Sequence, residues 1–108
     1  MSGPLSRLSS RPAVPQDAPR SVFGESREDA RERRRRQGRM VDLLQSDLYE
    51  RVADPEPETG MTWESPLGWR VRFQMVAGAM HVTVSTPDGS EHAHLVSADV
   101  DALDSVLP

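Results

Sequence analysis

The sequence predicts an α+β fold: a disordered N-terminal arm, one helix, a three-stranded antiparallel β-meander and a closing C-terminal helix. Three observations predict it. Large apolar side chains are sparse after Met1 until residue 40, with only Leu5, Leu8, Val14, Val22 and Phe23. Apolar residues then recur at helical spacing, and after that at period two. Turn residues fall between the alternating runs, and the last apolar stripe is again helical.

The arm is expected to cover residues 1–39. Pro4, Pro12, Pro15 and Pro19 each remove a backbone donor and disfavour helix at the preceding residue. So little apolar surface cannot offset the entropy of ordering. Ser26 followed by Asp29 resembles a capping box, with Glu28 and Asp29 suited to the positive end of a helix dipole. The stretch 27–37 has almost no apolar face, however, so a helix there is expected to fray, and Gly38 weakens it further.

The second part, residues 40–108, is read as a small interaction domain. Met40, Val41, Leu44, Leu48 and Val52 lie three and four apart, which predicts a helix over 40–53. Asp54-Pro55-Glu56-Pro57-Glu58 ends it and opens an acidic linker over 54–60. Sheet and closing helix occupy 61–108. Trp69, Val71, Phe73 and Met75 alternate with polar residues, as do Met80, Val82 and Val84. With Ala77-Gly78 in a four-residue loop from Val76 to Ala79, Met75 faces Met80, Phe73 faces Val82 and Val71 faces Val84, all on one side. Pro87-Asp88-Gly89 is a second turn signal. A two-residue Asp88-Gly89 loop sets Ala93 opposite Val84 and Leu95 opposite Val82. The rival reading for 90–96 is a backward extension of the last helix; the turn signal favours the strand. Ser97 is the expected N-cap, and Val96, Val100, Leu103 and Leu107 the closing stripe.

Composition bounds the function. The chain has 108 residues, a net charge of −4 and no cysteine, so no disulfide supports the core. Below roughly 70–80 residues a single core supplies only a few kcal/mol, so a partner or self-association is expected to add stability. No run reaches the roughly 20 apolar residues of a membrane span, and no apolar segment of a secretory leader follows Met1. All 13 basic residues are arginine. Arg33, Arg34, Arg35, Arg36 and Arg39 form the densest cluster and are candidate partner-binding residues. Interspersed carboxylates and the lack of aromatic platforms favour a solvated face or a protein contact over nucleic acid. Trp63 is read either as a core anchor or as a docking residue, and Leu67 beside it as a contact residue. His81, His92 and His94 are the only histidines; His81 and His94 fall diagonally on the exposed face beside His92. With no cysteine and no placed carboxylate they are read as ordinary strand residues, so no metal or cofactor is expected. No nucleophile motif or phosphate-cradling glycine loop occurs, and no catalytic residue is expected.

Pro66-Leu67-Gly68-Trp69-Arg70-Val71-Arg72-Phe73, a Gly turn, Met80-His81-Val82-Thr83-Val84 and a helical stripe ending at Leu103 and Leu107 resemble a known family. It is the C-terminal domain of the hook-length and needle-length control proteins of bacterial flagellar and type III secretion systems. The resemblance covers residues 63–107. It implies a non-enzymatic protein–protein role in length control, substrate switching or docking at the export apparatus. The implied location is cytoplasmic or secreted through the type III route. Two features depart from the family: the arm is short for a molecular ruler, and Asp88-Gly89 points to an extra strand. The alternatives are a small regulator binding nucleic acid through residues 31–39, and a secretion chaperone or antitoxin-like binder that pairs a sheet edge with its partner.

Overall fold

The computed structural model describes residues 26–108 of the chain. The reading of disorder over residues 1–25 lies outside the described residues. The chain divides into two units, Met1–Glu32 and Arg33–Pro108. The element order is α1 (Arg27–Ser46), β1 (Glu50–Val52), β2 (Gly60–Glu64), β3 (Arg70–Val76), β4 (Ala79–Ser85), β5 (Glu91–Val96) and α2 (Val100–Val106). The α+β class stands, but the sheet is a five-stranded antiparallel meander in sequence order rather than three-stranded.

Two expectations about the first helix are corrected. It starts at Arg27, not at residue 40, with the Ser26 hydroxyl accepting from the Asp29 amide at 3.0 Å. Capping at Ser26 and the helix-forming Arg and Glu residues favour helix in this stretch of little apolar face. It also ends at Ser46, not at residue 53. Leu48 adopts a positive φ of 68° and is 69% exposed, which removes it from the predicted stripe. Met40 and Leu44 are buried, whereas Val52 belongs to β1. Tyr49, buried just after the reversal, takes the place expected for Leu48.

The core lies on one face of the sheet. One row across it is Arg51, Trp63, Val71, Val84 and Ala93; the next is Met61, Phe73, Val82 and Leu95; Met75 faces Met80 beyond them. Met40 and Leu44 of α1 and Leu103 of α2 complete the buried cluster. Asp99, not Ser97, caps α2: its carboxylate accepts from the Ala102 amide at 3.0 Å. Val96 ends β5 on the opposite face and is no part of the closing stripe.

Both predicted hairpin registers occur, through different turns. Val76 pairs with Ala79, leaving a two-residue loop with φ of 51° at Ala77 and 83° at Gly78. Two positive φ values in sequence suit the twist of a two-residue hairpin, where Asn-Gly is preferred. Alanine pays a steric cost there that asparagine largely avoids. Ala77→Asn is expected to raise the thermal midpoint, with a gain of about 0.5–1 kcal/mol in urea melts. An unchanged or lower midpoint contradicts this turn geometry.

At the second hairpin, the Gly89 amide bonds the Thr86 carbonyl at 2.9 Å and the Thr86 amide bonds the Ser90 carbonyl at 2.8 Å. The loop is therefore Pro87-Asp88-Gly89, one residue longer than expected. A β-bulge between Val84 and Ser85 compensates: Ser85 pairs with Glu91 but Val84 with Ala93, leaving His92 as the extra residue.

Candidate functional site

The second face of the sheet is polar, and its functional groups come from strand alternation. Val52, Thr62, Arg72, Thr83 and His94 form one row across it, and Gly60, Gln74, His81 and Val96 the next. The segment after β1 folds over this face. Asp54 receives the Arg72 guanidinium in a two-pronged contact, Nε to Oδ1 at 2.9 Å and Nη2 to Oδ2 at 2.9 Å. The Thr62 hydroxyl and the Glu56 amide also donate to Asp54. Arg72 Nη1 donates to Gln74 Oε1 at 2.8 Å, and Gln74 Nε2 donates to Glu56 Oε1.

Residues 54–59 of the acidic linker therefore form a loop docked on the sheet, and Gly60 opens β2. The Asp54 side chain is 3% exposed. Hydrogen bonds from Arg72 hold its carboxyl far below the usual carboxylate range, against burial, which pushes it up; Thr62 and the Glu56 amide add to the lowering. Gly60 is required beneath this pair. A Cβ there would stand 2.7 Å from Asp54 Oδ2 and 2.8 Å from Arg72 Nη2. Arg72 serves as the anchor of this loop, with Asp54, Glu56 and Gln74 all drawn to it.

Beside this network, His81 Nδ1 and His94 Nε2 approach to 2.8 Å, and Thr83 Oγ1 lies 3.1 Å from His94 Nδ1. The diagonal placement of His81 and His94 read from the sequence is the one observed. His92 is not part of the group. The bulge turns it onto Trp69, edge to face with ring centroids 5.2 Å apart. Among the described residues no third histidine, cysteine or carboxylate joins the pair.

The candidate partner-binding residues do not converge. Arg33 and Arg36 are half-buried on α1, while Arg34, Arg35 and Arg39 are exposed. Trp63 is 7% exposed and lies within the buried cluster. Its indole N–H is buried without a hydrogen-bond partner among the described residues. Leu67 is 82% exposed in the loop between β2 and β3. Close by, Leu48, Val52 and Pro66 line a shallow cavity of about 260 Å³ with Glu50, Glu64 and Ser65.

Among the described residues the sheet has two edges, β1 and β5. The Ser97 amide bonds the Met80 carbonyl at 2.9 Å, which sets the phase of the β4–β5 ladder. Val82–Leu95 and Val84–Ala93 are then the hydrogen-bonded pairs, and the N–H and C=O of His94 and Val96 point out from the open edge. No helix of the described residues is long and apolar enough to cross a membrane. No family model, curated protein or solved structure matches the chain.

Proposed function

We propose that this chain is a non-enzymatic partner-binding protein that works by protein–protein contact through residues 33–108. The observation that carries the reading is the edge of β5, which no other strand of the described residues covers. Its outward backbone groups at His94 and Val96 offer a template for a strand from a partner, and Val96 is 53% exposed. Exposed Leu67 and Pro66 supply a second apolar contact at the loop between β2 and β3. The likeness to length-control proteins of type III secretion makes a component of the export apparatus the expected partner, with substrate switching or docking as the role. That likeness runs through β2 to α2. The extra strand β5 is its departure, and it is also the strand offered here for pairing.

The test compares the full chain with Val96→Pro and Leu67→Asp for binding to a purified export-apparatus component at near-physiological salt. Val96→Pro removes an outward N–H and leaves the bonds to β4 in place, which circular dichroism checks. Binding weakened tenfold or more by Val96→Pro supports the reading. Binding indifferent to both variants overturns it. Duplex DNA is the second arm. Tight, salt-sensitive DNA binding, lost on Arg34→Glu with Arg35→Glu, would replace this reading with a nucleic-acid regulator.

A further inference from the structure

We propose that His81 and His94 form a two-imidazole binding site for a late first-row divalent cation such as zinc. The two side chains sit on neighbouring strands, diagonal across a pair that is not hydrogen-bonded. Their rings stand 5.0 Å apart between centroids, and His81 Nδ1 faces His94 Nε2 at 2.8 Å. Two nitrogens bound to one tetrahedral cation stand roughly 3.3–3.4 Å apart, given metal–nitrogen bonds of about 2.0–2.1 Å. From 2.8 Å the nitrogens need separate by only about half an ångström, with both rings turning so that their lone pairs converge on the cation, a side-chain adjustment open to an edge strand.

A proton between the two facing nitrogens, 2.8 Å apart, closes an N–H···N contact. Binding requires that this proton leave the gap so that both lone pairs face the cation. Thr83 makes this possible for His94. Its Oγ1, 3.1 Å from Nδ1, can accept an N–H from that nitrogen, and in that arrangement Nε2 is unprotonated. For His81 the equivalent form carries its proton on Nε2. Thr83 is thus a positioning residue that selects the ligating tautomer.

The surroundings do not oppose a cation. The nearest fixed positive charge in the row, Arg72, is held by Asp54 and Glu56. Gln74 and Val96, the cross-strand neighbours of His81, are uncharged. His94 is exposed and His81 half-buried, so the site is open to entry and water can fill the remaining coordination positions. Imidazole ligands favour zinc, nickel and copper, with copper tightest, and do not retain magnesium or calcium.

The experiment is calorimetric titration of the full chain with zinc chloride, followed by imidazole nitrogen NMR. One saturable zinc per chain is expected, weakening as pH falls. His81→Ala and His94→Ala should each abolish saturable uptake, while His92→Ala, on the bulge, leaves it unchanged. Thr83→Val is expected to weaken zinc 10–100-fold and Thr83→Ser to restore it, with the zinc-bound His94 reporting a protonated Nδ1. Circular dichroism confirms that each variant is folded. No saturable uptake by the full chain overturns the proposal. So does uptake that survives His94→Ala or is lost equally with His92→Ala.

Discussion

Phe73→Ala is expected to lose about 3–5 kcal/mol of stability, the largest single effect in the domain. Phe73 is 2% exposed at the centre of the inner face, flanked by Met61 and Val82 across the strands and covered within the same buried cluster as Met40, Leu44 and Leu103. Truncating it removes a large apolar area and leaves a cavity that the β-ladder on either side cannot close. A small domain has only about 5–15 kcal/mol in total, so the variant should melt broadly or fail to fold. The control is Val76→Ala, at the end of the same strand and 42% exposed, which should change the urea midpoint little. Similar midpoints for the two variants would show that the inner face has been misassigned.

Asp54→Asn should give the second-largest loss, about 2–3 kcal/mol at neutral pH. The amide cannot accept both prongs of the guanidinium, and Arg72, 26% exposed, is left partly desolvated without its counter-charge. The pH dependence follows from the lowered carboxyl of Asp54. The unfolded chain takes up this proton first. The stabilisation is therefore complete above the ordinary carboxylate range near about pH 4 and is lost as pH falls below it. Urea melts at several pH values should show wild-type stability dropping on acidification, with a shallower drop for Asp54→Asn. Parallel slopes would contradict the assignment. Arg72→Ala should also destabilise, by less than Phe73→Ala, because it leaves the Asp54 carboxylate, 3% exposed, without its partner.

Where local pattern sets structure, the sequence is legible. Period-two alternation places Val71, Phe73, Val82 and Val84 inward, and the turn residues align Ala93 and Leu95 with them. Strand or helix at 90–96 is decided by the same turn signal. The losses occur where distant partners decide. Glu50–Val52 is too short to alternate visibly and becomes a strand only because Trp63 and Thr62 lie alongside it. Asp54 reads as linker because its partner lies 18 residues away. Helical spacing carries the predicted stripe past Ser46, since Leu48 and Val52 keep the period although the chain has already reversed at Leu48. Of the candidate site, the closeness of His81 and His94 follows from register alone. The role of Thr83 needs the distance, and the separation of His92 needs the bulge.

That bulge gives the second hairpin a tolerance to length change. The loop carries one residue more than the register needs, and the strand carries one residue unpaired, so the surplus and its correction lie within a few positions of each other. A single-residue insertion in a hairpin would ordinarily exchange the faces of everything downstream and send Ala93 and Leu95 into water. Here the shift is cancelled at His92 before it reaches them. A paired deletion of Gly89 and His92 should accordingly keep the downstream frame, whereas removing His92 alone displaces the whole remainder of β5.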